Sequence, residues 1–224
     1  MHTKTTTDIS HFLLLQLNDA TFPIGSYSLS WGLETFVQQG YIYDIHSTKE
    51  YIFCELHGSF IYSELLPARL AWEAGNDNIK LASLDEKYEA SRSPRELREG
   101  SRKLASRFIK TTSVWDTAAA GNTYVPVYFP VAYGVYCRIH NIPEAEMLGG
   151  FLYSQTSARV TTAVKLVPLS QIDGQMLLNT LLKSFPELIK KVLDLPEEDI
   201  CRSCPGIDIR AMQHENLYTR LYIN

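Results

Sequence analysis

The sequence lacks the short motifs that announce common chemistries. It has no GxxxxGK[ST] to cradle phosphates, no GxGxxG, and no GxSxG to carry a serine nucleophile. HExxH is absent too. Long apolar runs are also missing. Nothing approaches the ~20 residues a membrane span needs, and "MHTKTTTDISHFLLLQLND" has an apolar run of only four, Phe12 to Leu15. No secretory leader is expected, and a cytoplasmic location with reduced thiols is. A basic excess is lacking as well. The net charge of −4 argues against a general nucleic-acid binder.

Cysteine is scarce: Cys54, Cys137, Cys201 and Cys204. The last two form a CxxC, but a zinc site wants about four ligands and no second CxxC or histidine pair lies nearby. A redox motif would need a βαβ context. The pair therefore reads as two loop cysteines. The six histidines (His2, His11, His46, His57, His140 and His214) are scattered, with no i,i+4 pair. His214 adjoins Glu215, and such neighbours point to different helix faces. It reads as a helix-surface or interface histidine.

Helical periodicity is what the sequence does have. Ser47 and Glu50 are spaced as a capping box before a run of six or seven turns in which Pro67 is a kink point. Ser93, Pro94 and Glu96 form a second start signal, for a helix to about Lys110. "SFPE", Ser184 to Glu187, is a third. "LPEED", Leu195 to Asp199, suits the positive end of a helix dipole. Strand signals are thin: Pro126 and Pro130 break "NTYVPVYFPVAYGVY", which reads as loop and then helix from Pro130. The longest candidate helix runs from Pro143 to about Val167. Its small residues (Gly149, Gly150, Ser154, Ser157, Ala158, Thr161, Ala163) place it at the bundle centre. Residues 75–78, 117–126 and 201–208 read as loops. The expectation is one all-α domain over residues 1–224, a bundle of roughly eight to ten helices with residues 1–10 flexible.

Three stretches stand out. From Arg92 to Lys110 there are seven basic and two acidic residues, net +5, against −9 for the rest. Leu97, Leu104, Phe108 and Ile109 take one side of that helix, and Arg95, Arg98 and Arg102 another, with Lys103 and Lys110 adjoining. This is a solvated face or a dock for an acidic partner. In "LNDATFPIGSYSLSWGLETF", Pro23, Gly25 and Ser26 make a turn that Ser26 or Ser28 can cap. Leu29, Leu33, Phe36 and Val37 then share one helix face, and Tyr27, Trp31, Glu34 and Gln38 the opposite one. That second face is a binding patch or is covered by another helix of the chain. Finally, "ENLYTRLYIN" is an apolar end that tucks onto the core or inserts into a partner. Arg220 within it has no obvious need inside the chain.

"LNDATFPIGSYSLSWGLE", "FLYSQTSARVTTAVKLVPLSQIDGQ" and "DIRAMQHENLYTRLYIN" resemble, in order and over nearly the whole chain, the three signature blocks of the UreF family of urease accessory proteins. "PRELREGSRKLASRFIK" is similar too, and the likeness is nearest to the epsilonproteobacterial type. Two positions depart: Leu29 stands where many members have histidine, and Trp31 where many have a small residue.

The resemblance implies an all-helical homodimer that is not an enzyme. It implies binding to a second scaffold, UreD (UreH in some species), and through it recruitment of the GTPase UreG. The assembly would deliver nickel into apo-urease and regulate the partner's GTP hydrolysis. No resident cofactor is implied, since nickel and GTP are handled by the complex. Carried over by position, Gly25, Ser26, Tyr27 and Glu34 would recruit the GTPase, with Trp31 on the same patch and Lys165 a charged contact of the same class. Arg210, His214, Glu215, Tyr218 and Arg220 would serve the partner-binding C-terminal region, with 215–224 as its tail. Two readings of other classes stand beside this one. A stand-alone nickel carrier would use His2, His11 and the CxxC. A helical hydrolase would use Asp19, Ser26 and His214, which must then lie within hydrogen-bond reach.

Overall fold

A chain with helical periodicity throughout must bury one stripe of each helix against another, and helices are what form. The computed structural model describes residues 8–116, 124–200 and 202–222, the Tyr27 side chain excepted. His2, Cys201, most of the expected flexible segment 1–10 and most of the expected loop 117–126 lie outside the described residues. Within 1–10, Ile9 already starts a helix and Ser10 is buried.

The elements are α1 (Ile9–Leu17), a 3-10 turn (Ser26–Ser28), α2 (Leu33–Gln38), α3 (Ile45–Glu55), a π-helical stretch (Leu56–Leu65) and α4 (Leu66–Ala74). Next come α5 (Asn78–Ser91), α6 (Arg95–Thr112), α7 (Phe129–Ile139) and α8 (Glu144–Leu166). The last are α9 (Gln171–Leu182), α10 (Phe185–Asp194) and α11 (Pro205–Gln213). With α3, the π stretch and α4 taken as one rod, the described residues form ten α-helical elements and no strand, as expected.

Several helix starts differ from the sequence signals. The rod begins at Asp44, not Ser47: the Asp44 carboxylate accepts the Ser47 N–H at 2.8 Å, and the Ser47 hydroxyl accepts the Asp44 N–H at 3.1 Å. Pro67 does not end the rod. It stands in the first turn of α4, directly after the π stretch, where α-helical spacing would drive its ring against the Ser63 carbonyl. The N-cap of α6 is Pro94, with no side-chain cap, since proline has neither a side-chain acceptor nor an N–H for Glu96 to receive. "LPEED" makes only a 3-10 turn, Glu197–Asp199. The expected loop 201–208 is helical from Pro205.

The helix α8 occupies the centre, packed against α1, α2, α3, α4, α7, α9, α10 and the π stretch. The rod crosses α7 so closely that a Cβ on Gly134 would strike the Ala68 carbonyl. On the inner side of α8, Arg159 is only 2% exposed. Its Nε and Nη2 donate to the buried Glu55 carboxylate at 2.9 Å, and its Nη1 to the Gln155 carbonyl at 3.1 Å. The guanidinium stacks on Trp31 at 4.1 Å and faces Phe60 at 4.8 Å. A second enclosed pair, Arg92 to Glu64 at 3.2 Å, receives the Tyr88 hydroxyl. Burial pushes the Glu64 carboxyl upward against the pull of Arg92.

Removing one partner of an enclosed ion pair strands the other charge, at about 3–5 kcal/mol. Arg159→Ala should lose that much stability in urea unfolding, and Asp44→Ala about 1 kcal/mol. An Arg159→Ala loss below ~1 kcal/mol would show that the pair does not hold the centre.

Candidate functional site

The opening signature stretch does not form one helix. Trp31 (φ 52°) and Gly32 (φ 88°) are both left-handed, which separates Leu29 from a short α2 whose N-cap is Gly32. Neither Ser26 nor Ser28 caps it. The Ser28 hydroxyl donates instead to the Gly25 carbonyl at 2.7 Å. Left-handed backbone is uncommon for a bulky residue, and the stack of its ring on Arg159 holds Trp31 there.

Two residues of the expected outward face are buried, Trp31 at 6% and Glu34 at 1% exposed, while Gln38 stays exposed. Two things cover Glu34. The helix α11 lies across α2, with the Ala211 backbone against Gly32, and the C-terminal segment folds over both. Of the two fates open to that patch, cover by the chain's own helix is the one realised.

Glu34 is the hub of this junction. One oxygen accepts the Leu221 N–H at 2.8 Å, and the other accepts the Tyr222 N–H at 3.3 Å and meets His214 Nε2 at 2.9 Å. His214 Nδ1 lies 2.8 Å from Glu96 Oε2, and Arg220 Nη1 lies 3.5 Å from the other Glu96 oxygen. Gln38 donates to the Thr219 carbonyl at 2.8 Å. His214 is 0% exposed, which corrects the surface reading. Arg220 has its intrachain partner after all. Tyr222 is buried, and burial raises its hydroxyl while Thr162 of α8 draws it the other way. The tail tucks onto its own body, yet Tyr218 is fully exposed and Leu221 78%. Above the junction, Arg95, Glu96, Glu99, Gly100, Lys103, Glu215 and Arg220 line a pocket of about 320 Å³.

The other sequence-predicted residues lie apart from this junction. Gly25 is left-handed (φ 77°), and a Cβ there would collide with the Arg107 guanidinium, which donates to the Ile24 carbonyl at 3.1 Å. Ser26 lines an open groove of about 680 Å³ between α1 and α8. Leu14, Leu15, Gly150, Tyr153 and Ser157 line it too. The small residues of α8 thus serve two ends: some admit neighbouring helices, and others leave this groove open. Lys165 is exposed in the last turn of α8. Arg210 lies over the Phe36 and Tyr41 rings at 5.7 and 5.0 Å.

The basic stretch works largely within the chain. Arg92 pairs with Glu64, Arg95 with Glu99, and Arg102 with Glu89 and the Tyr128 hydroxyl. Arg98 donates to the carbonyls of Arg92 and Ser93, and Arg107 to that of Ile24.

The hydrolase arrangement is not assembled. Both His214 nitrogens are taken by carboxylates, and Asp19 is held by Thr21, which draws its carboxyl below the usual range. Among the described residues, no three His, Cys, Asp or Glu side chains have metal-holding geometry, and no helix is long and apolar enough to cross a membrane. The Cys204 thiol is raised by burial, with added pressure from Asp208 and Cys54. Sequence reasoning missed Glu96, taken for a cap, and the pair Glu55–Arg159. A lone arginine among the small residues of α8 was the available signal for that pair.

Comparison with known proteins adds to this geometry. Residues 42–182 match the UreF family model. A urease accessory protein UreF of Actinobacillus pleuropneumoniae is 37% identical over 221 residues, covering 94% of this chain and 97% of the relative. One of Haemophilus influenzae is 37% identical over 221 residues, covering 94% of each. One of a Bacillus species is 31% identical over 227 residues, covering 94% and 97%. With that similarity running nearly end to end, the chain belongs to the UreF family of urease accessory proteins.

Proposed function

We propose that this protein is a non-catalytic scaffold of urease maturation. It binds the accessory protein UreD (UreH), recruits the GTPase UreG, and makes nickel insertion into apo-urease depend on GTP. Nickel is cargo and GTP belongs to the partner, so the scaffold needs no resident cofactor. It works as a homodimer in the cytoplasm. The epsilonproteobacterial type rests on the signature blocks; the relatives named above come from Actinobacillus, Haemophilus and Bacillus.

The observation that carries the reading is the α1–α8 groove. Leu15 is 57% and Tyr153 43% exposed within it, and Ile9 and Phe12 continue the apolar surface along α1 at three-residue spacing. A contiguous apolar face of this kind on a chain with a complete core marks a protein contact. Gly25 and Ser26 sit at its edge, where the family resemblance puts the GTPase-recruiting surface. Tyr218 and Leu221 offer a second, smaller contact beside Glu215 and Arg220. Trp31, Glu34 and His214 act from beneath, by fixing the backbone that carries these surfaces.

Two sets of variants test this. Ser157→Arg fills the groove with a charge at a half-buried position of α8. It should keep the wild-type circular dichroism and melting temperature and lose at least tenfold in nickel-dependent urease activation. Tyr218→Ala with Leu221→Ala should also stay folded and should lose co-purification with UreD. Full activation and intact complexes with both sets would overturn the scaffold reading.

A further inference from the structure

His214 has a carboxylate on each ring nitrogen, Glu34 at 2.9 Å and Glu96 at 2.8 Å. A neutral imidazole carries one N–H, so one of these contacts would set a lone pair against a carboxylate oxygen. Both are attractive only when the triad holds one proton more than a neutral imidazole between two carboxylates, most simply as the imidazolium.

The surroundings fit that state. The charged groups that face the site are Glu34 from α2, Glu96 from α6 and Arg220 from the tail. Tyr222 abuts Glu34, while Arg95, Glu99, Lys103 and Glu215 ring the pocket outside. With the imidazolium, Glu34, Glu96, His214 and Arg220 sum to zero. Loss of that proton makes the enclosed cluster one unit more negative, which burial penalises. The tail hangs on the same atoms, since Glu34 accepts from Leu221 and Tyr222 and Glu96 pairs with Arg220.

The geometry points to a proton latch: the segment from His214 to Tyr222 docks on α2 and α6 as one unit when the Glu34–His214–Glu96 triad holds its extra proton, and lifts, carrying His214 off both carboxylates, as that proton leaves. The sign follows from linkage. A free histidine loses its proton near pH 6.5, so above that pH docking must take a proton from solution. The docking equilibrium then falls by up to tenfold per pH unit. The latch sets how firmly Tyr218 and Leu221 are presented, whichever protein receives them.

Hydrogen exchange of the full-length chain between pH 6 and 9, corrected for intrinsic rates, reads this at the Leu221 and Tyr222 amides. Peptides of α8 serve as the internal reference for global opening. In the wild type, tail protection should fall by up to tenfold per unit above about pH 6.5. In Glu96→Gln the new amide can donate to Nδ1. A neutral imidazole then satisfies both contacts, and the four groups again sum to zero. Protection should persist in that variant and lose its pH dependence. Glu34→Gln should likewise flatten the profile, at lower protection, and serves if the first variant does not fold. A flat wild-type profile, or the same slope in the wild type and the folded variant, would overturn the latch.

Discussion

The enclosed pair between Arg159 and Glu55 constrains everything around it. A guanidinium at the centre of a helical bundle tolerates burial only if its donors and its face are all occupied. Glu55 must therefore stand at the end of α3, opposite the middle of α8, and two aromatic rings must cover the cation. Trp31 supplies one of those rings from a left-handed backbone. That conformation in turn breaks the opening signature stretch into a 3-10 turn and a short α2. The short α2 leaves Glu34 in its first turn, facing α11 and the tail. One central charge thus reaches, through Trp31, to the far end of the chain.

The fold was largely legible. Periodicity located α8 to within a residue at each end and read "NTYVPVYFPVAYGVY" correctly as a helix from its second proline. What went astray was local capping chemistry with several solutions. Asp44 and Ser47 outcompete Ser47 and Glu50 because an aspartate three residues earlier offers the same reciprocal bonds one turn sooner. Glu96 looked like half of a capping box because nothing near it in sequence reveals a histidine 118 residues away. The π stretch has no pattern of its own to read.

The site was legible in membership more than in orientation. Glu34, His214 and Arg220 were singled out and are joined through Glu96, but Glu34 and His214 are enclosed and only Arg220 keeps an exposed side chain. A helical wheel assigns faces on the premise of continuous helix. Two consecutive left-handed residues at Trp31 and Gly32 void that premise, and no amphipathic count detects them. Gly25 and Ser26 came out nearer to expectation, because a turn built on Pro23 and Gly25 stays at the surface however the next helix runs.

This division bears on how such residues would serve the proposed scaffold. An exposed contact residue contributes through the area it buries on binding, and its loss weakens one interface. An enclosed hub acts through the backbone it holds. Glu34 fixes two tail amides, α11 and, through His214, α6. Altering it shifts several surfaces at once without touching a partner. The α1–α8 groove depends instead on Gly150, Ser154 and Ser157 staying small, and is independent of the hub's charge. A partner seated in the groove and a partner seated on the tail therefore read different physical variables of one chain: packing volume on one side, charge balance on the other.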